Sequence, residues 1–202
     1  VAAGIGYAKP ELVLALRDAL RPSGPHWRSA FVLSRLATIR EDWKEAIRWS
    51  AEWAADLPES EAVHRDLARA NGAFVRAMTD DPEGGRDELR RLAEPLDCND
   101  HTIGIGIQML GRAEERCGDL ARAEAAYRYV VARVLDPYWL GQLAHTRWFL
   151  ANLLWATGRP DEAREQLDLA EAGFREAQEP FRRPEILCGR VRLALDGGPD
   201  PT

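Results

Sequence analysis

Cysteine is scarce in this 202-residue chain: only Cys98, Cys117 and Cys188 occur. An odd, sparse set builds no disulfide framework, which points to a reducing, cytoplasmic setting. Lysine is scarcer still, with Lys9 and Lys44 alone among 27 basic residues, set against 33 acidic ones for a net charge of −6. Both signs are mixed along every segment. A nucleic-acid partner is therefore not expected, because such binding needs a clustered basic face to release counterions. No apolar run approaches the ~20 residues of a membrane span, so no membrane association is expected. The first residues do not combine a basic start with an apolar run, and no secretory leader is expected in them. Strand signals are nearly missing too. The one β-like stretch, "HTIGIGIQML", leads straight into a helical pattern.

What is present is helical periodicity. The composition is 46% hydrophobic and 30% charged, which suits a globular chain with an ordinary core. Apolar residues recur at intervals of three and four, as in the stripe Trp27, Ala30, Phe31, Leu33, Leu36 and Ala37.

Two segments repeat one scheme. In the first, Leu110-Gly111 precedes Gly118, Ala123 follows that glycine by five, and Tyr127 follows by four more. In the second, Leu150-Ala151, Gly158, Ala163 and Leu167 keep the same spacings. A copy with Leu33-Ser34, Trp43, Ala46 and Pro58 lies upstream, and between them a worn copy is marked by Gly84, Leu89 and Ala93. The turn points near Glu41, Asp81 to Gly85, Gly118 and Gly158 fall roughly forty residues apart, which is the signature of an array. Small residues let paired helices approach. Gly118 and Gly158 suit a positive φ at a helix end. Pro58, Pro95, Pro137 and Pro180 stop helices or open connections.

These residues carry a resemblance to the tetratricopeptide repeat (TPR) family, whose unit is a helix-turn-helix of ~34 residues. It covers roughly residues 26 to 178. The units here are longer, like those of arrays in bacterial signalling and transcription regulators. The Tyr usual three after the small residue of the first helix is replaced by Ala37, Glu114 and Leu154. The resemblance implies an all-α right-handed superhelix, a TPR-like solenoid of four helix pairs with flanking helices. The chain 1–202 is then one domain with repeats at about 24–58, 60–95, 99–137 and 138–178. A leading helix is expected over about Pro10 to Leu20, a C-terminal capping helix over 184–195, and a frayed tail at "DGGPDPT".

Chemistry-bearing patterns are thin. Gly104 and Gly106 lack the third glycine and the preceding strand of a dinucleotide loop, and are expected to thin a helix start for close packing. Cys98, His101 and Cys117 are too few to close a zinc site, so neither metal nor cofactor is expected. The histidines, His26, His64, His101 and His145, fall in differing registers. No nucleophile elbow or Ser-His-Asp order occurs, and carboxylates lie beside arginines at helical spacing, as solvated faces do. The chain is not expected to be an enzyme.

The resemblance places a concave groove on the first helix of each pair, at positions three before, one after and four after the small residue. The candidate lining residues are Phe31 and Arg35, Gln108 and Arg112, and His145, Trp148, Asn152 and Trp155. The groove is expected to hold a protein or peptide partner, or a small acidic ligand. Alternatively Trp148 and Trp155 pack against the C-terminal helix. Phe31 and Arg35 stand where a carboxylate clamp for chaperone tails would need Lys and Asn. The expected function is a binding scaffold or sensor. Two alternatives are a ligand-sensing module of a larger signalling ATPase or transcription regulator, and an enzyme built on the array.

Overall fold

The computed structural model describes Ala15 and residues 27–39, 41–93, 101–133, 140–177 and 183–197. Among these, nine helices and no strand occur: α1 (Trp27–Ile39), α2 (Trp43–Ala55), α3 (Ala62–Met78), α4 (Pro82–Ala93), α5 (His101–Arg116), α6 (Leu120–Arg133), α7 (Leu140–Ala156), α8 (Pro160–Glu176) and α9 (Arg183–Gly197). The leading helix expected over Pro10 to Leu20 lies outside the described residues. The C-terminal helix runs through Asp196 and Gly197, past the expected end at 195 and into the segment expected to fray.

The turns between the first and second helices of successive copies share one backbone plan. At the α5–α6 turn Gly118 N–H donates to Glu115 O, and Asp119 N–H to Glu114 O. The α7–α8 turn repeats this with Gly158 to Trp155 and Arg159 to Leu154, and the α1–α2 turn with Glu41 to Thr38 and Asp42 to Ala37. These bonds satisfy the last carbonyls of the helix and need a left-handed residue. Gly118 and Gly158 supply it at φ 82 and 77, and Glu41 supplies it without the freedom of glycine at φ 57. Asp42 then opens α2 by accepting from Glu45 N–H, and Asp81 opens α4 by accepting from Gly84 N–H.

The second copy has a different register from the one its sequence suggested. At the α3–α4 turn Asp81 N–H donates to Arg76 O, so Asp81 stands where Asp42, Asp119 and Arg159 stand. The small residues of this copy are therefore Ala73 and Gly85, in place of Gly84 and its spacing to Leu89 and Ala93. Both are buried. Leu89, 1% exposed, takes the place of Tyr127 and Leu167. Gly85 permits the closest approach: a Cβ there would lie 2.4 Å from Ala77 N and 2.5 Å from Ala73 O. Gly106, in contrast, has open space where its Cβ would be, so it does not thin the helix for packing.

The chain forms two compact units, Val1–Asp119 and Leu120–Thr202. In the first, α2 packs on α1, α4 on α3, and α3 also touches α2 and α5. Its core includes Leu33, Trp49, Trp53, Phe74, Leu89 and Met109. A polar knot is buried within it. Asn71 Nδ2 donates to Ser34 Oγ (2.8 Å) and Ser50 Oγ (2.7 Å), while Ser50 Oγ donates to Ala46 O. This ties α1, α2 and α3 together, and Asn71 Oδ1 has no hydrogen-bond partner among the described residues. Glu114, 2% exposed, meets Arg90 through bonds of 2.6 and 2.8 Å. That pair occupies the place of the missing tyrosine, and the bonding raises the Arg90 pKa.

In the second unit, α7 packs with α6, α8 and α9, and α9 also lies on α8. Its core holds Tyr127, Leu150, Leu153, Leu154, Leu167, Phe174, Ile186 and Leu193.

Candidate functional site

The corrected register completes the set of positions on the first helices of the first unit. Around Ser34 stand Phe31, Arg35 and Thr38; around Ala73, Ala70, Phe74 and Ala77; around Gly111, Gln108, Arg112 and Glu115. Much of this face is closed. Phe31 is half-buried, with its ring 4.9 Å from that of Trp53. Thr38 is buried and donates to Ser34 O. Gln108 is only 5% exposed, which removes it from the open lining and places it between helices. Arg35 remains half-buried. The guanidinium of Arg112 lies over Phe74, 5.5 Å from the ring centroid, and a nitrogen approaches Glu41 at 3.9 Å. Trp43 and Phe74 meet in a T-shaped arrangement with ring centroids 6.2 Å apart. An aromatic floor under a half-exposed cation results, and desolvation strengthens such an attraction.

In the second unit α7 carries His145, Trp148, Asn152 and Trp155, none of them buried. The His145 ring stacks on Phe149 at 4.7 Å and on Trp148 at 5.6 Å. Phe149 in turn stacks on Tyr127 at 5.9 Å, so the half-exposed aromatics rest on a fixed base. Asn152 Nδ2 donates to Trp148 O, the carbonyl four residues back. This aims Oδ1 outward, where it accepts from Arg192 of α9 at 3.4 Å. The Arg192 guanidinium also stands 5.8 Å from the Trp155 ring. Trp155 therefore touches the C-terminal helix while staying half-exposed, as Trp148 does against its own helix.

Two contributors, Phe74 and Arg192, were missed in the sequence. Phe74 was hidden by the misplaced second register. Arg192 had a visible signal, since Arg112, Asn152 and Arg192 are spaced forty residues apart.

Among the described residues no acid–base or nucleophilic constellation assembles at either face. Among the described residues no cluster of His, Cys, Asp and Glu could hold a metal ion. Cys98 and the side chain of His101 lie outside the described residues. No described helix is long and apolar enough to cross a membrane.

Helix pairs with small residues at their contacts, joined by repeated turns, define a TPR-like helical-repeat fold. Comparison with solved structures agrees: the chain is similar to a protein from Podosopora anserina described as a kinesin light chain with nearly identical TPR-like repeats. The TM-score is 0.53 at 16% identity, covering 85% of this chain and 96% of that one. No family model matches the chain, and no curated protein matches it.

Proposed function

We propose that residues 1–202 form one cytoplasmic protein- or peptide-binding TPR-like domain without catalytic activity. The carrying observation is the α7 face, where half-exposed Trp148 and Trp155 flank Asn152 and Arg192 lies beside them. Two indole surfaces supply contact area at low conformational cost. The amide and the guanidinium fork supply directional bonds, and the fork favours a partner with carboxylate groups. In the first unit Phe31, Arg35 and Arg112 offer a comparable mixture of ring and cation. Tryptophan and arginine side chains enclosed at the centre of an interface tend to carry a disproportionate share of binding energy.

Affinity capture from a lysate of the native host tests this reading, with wild type and the Trp148→Ala/Trp155→Ala variant as paired baits. Proteins held by wild type and lost from an equally helical variant support it. Identical capture by both baits contradicts it.

A further inference from the structure

We propose that Glu41 and Arg112 form a strap across α3, in which Glu41 fills from within a carboxylate-binding subsite that a partner's acid opens. This rests on the reading that the first helices bind a partner, and it places a carboxylate of that partner on Arg112 of the first unit.

The strap begins at a residue that glycine would suit better. The α5–α6 and α7–α8 turns hold Gly118 and Gly158 in the left-handed region, and the α1–α2 turn holds Glu41 there, at φ 57. A residue with a Cβ is disfavoured in that conformation, and such an outlier points to a role for the side chain it carries. The neighbouring acid, Asp42, is committed to capping α2 through Glu45 N–H. The Glu41 carboxylate instead approaches Arg112 of α5, whose guanidinium lies over Phe74 of α3.

The two ends are held differently. The Arg112 side chain is 25% exposed and rests on the buried Phe74 ring, which the Trp43 ring also meets. The Glu41 side chain is 65% exposed, and its oxygen stands 3.9 Å from an Arg112 nitrogen. That separation is beyond hydrogen-bond distance, and exposed pairs of this kind contribute little. Arg90 and Glu114 show what a closed pair looks like in the same unit, with bonds of 2.6 and 2.8 Å to a buried carboxylate. The Glu41 contact has neither property, so the acid can leave while the cation stays on its ring. An incoming carboxylate can then meet the guanidinium with two parallel hydrogen bonds.

The test titrates a labelled hexaglutamate peptide at fixed low ionic strength and follows fluorescence anisotropy. Trp148 and Trp155 are intact in every variant, so its outcome is separate from that of the paired capture from lysate. Glu41→Gly, in which glycine adopts the turn freely, should bind the peptide at least about threefold more tightly than wild type. The gain should vanish when Arg112→Gln is added. Equal affinity in wild type and Glu41→Gly, absence of binding to both included, overturns the proposal. So does a gain that survives Arg112→Gln, or an equal gain from Glu83→Gln, which removes one exposed negative charge from α4.

Discussion

Gly85 and Gly72 lie on neighbouring helices of one pair, yet opposite outcomes are expected when each becomes alanine. The added methyl at residue 85 would meet the backbone of Ala73 and Ala77, which cannot swing aside as a side chain can. Gly85→Ala should cost at least about 1–3 kcal/mol, the usual range for overpacking. At Gly72 nothing lies within 4 Å of the added carbon, so Gly72→Ala should stabilise α3 by about 0.5–1 kcal/mol. Urea unfolding of both variants checks the pair, and a neutral Gly85→Ala would refute the second-copy register. The same reasoning applies to the Arg90–Glu114 pair. Arg90→Met leaves a buried carboxylate without its cation and should cost up to about 3 kcal/mol. Adding Glu114→Met should recover most of that loss in the same unfolding measurement. Legibility at this scale depended on the kind of constraint. Gly118 and Gly158 were readable because positive φ selects glycine. Glu41 holds the same backbone conformation with an ordinary side chain, and Ala73 looks like any helical alanine.

Between elements, charge completes what apolar spacing starts. Glu124 on α6 accepts from Arg159 at the start of α8 and from Arg128 on its own helix. Arg128 reaches on to Glu162 at 2.7 Å. Hydrogen bonding to Arg159 is the main cause that carries the Glu124 pKa from an ordinary 4.5 down to about 2. A carboxylate depressed on folding stabilises the native state above its unfolded pKa, and that contribution fades as pH falls towards the folded one. The stability gap between wild type and Glu124→Gln should therefore hold above pH 5 and narrow between about pH 4.5 and 2. Urea titrations across that range measure it, and a gap that stays constant with pH would show that the charge of Glu124 contributes nothing. Only half of this network was visible beforehand. The Glu124–Arg128 spacing of four reads as a solvated face, whereas Arg159 is 35 residues away and meets Glu124 only once α7 has folded back. Helix positions fared better, because caps, prolines and apolar periodicity all act within a few residues.

For the molecule as a whole, the period of about forty residues carried the fold: a repeat array needs only local pairing and neighbour contacts, and both leave marks in sequence. The candidate site was less legible, because exposure depends on what lies across from a residue. Gln108 and Trp148 occupy equivalent positions in their copies, yet one is buried and the other half-exposed. The claim that most depends on these exposures is that the first helices, and the α7 face in particular, bind a partner. Calorimetric titration of a captured partner, or a peptide from it, against wild type and the Trp148→Ala and Trp155→Ala variants tests it most directly. Each replacement should weaken binding by at least about 1–2 kcal/mol, roughly five- to thirty-fold in Kd, with the far-UV helical signal preserved. Unchanged affinity in both variants would contradict the account.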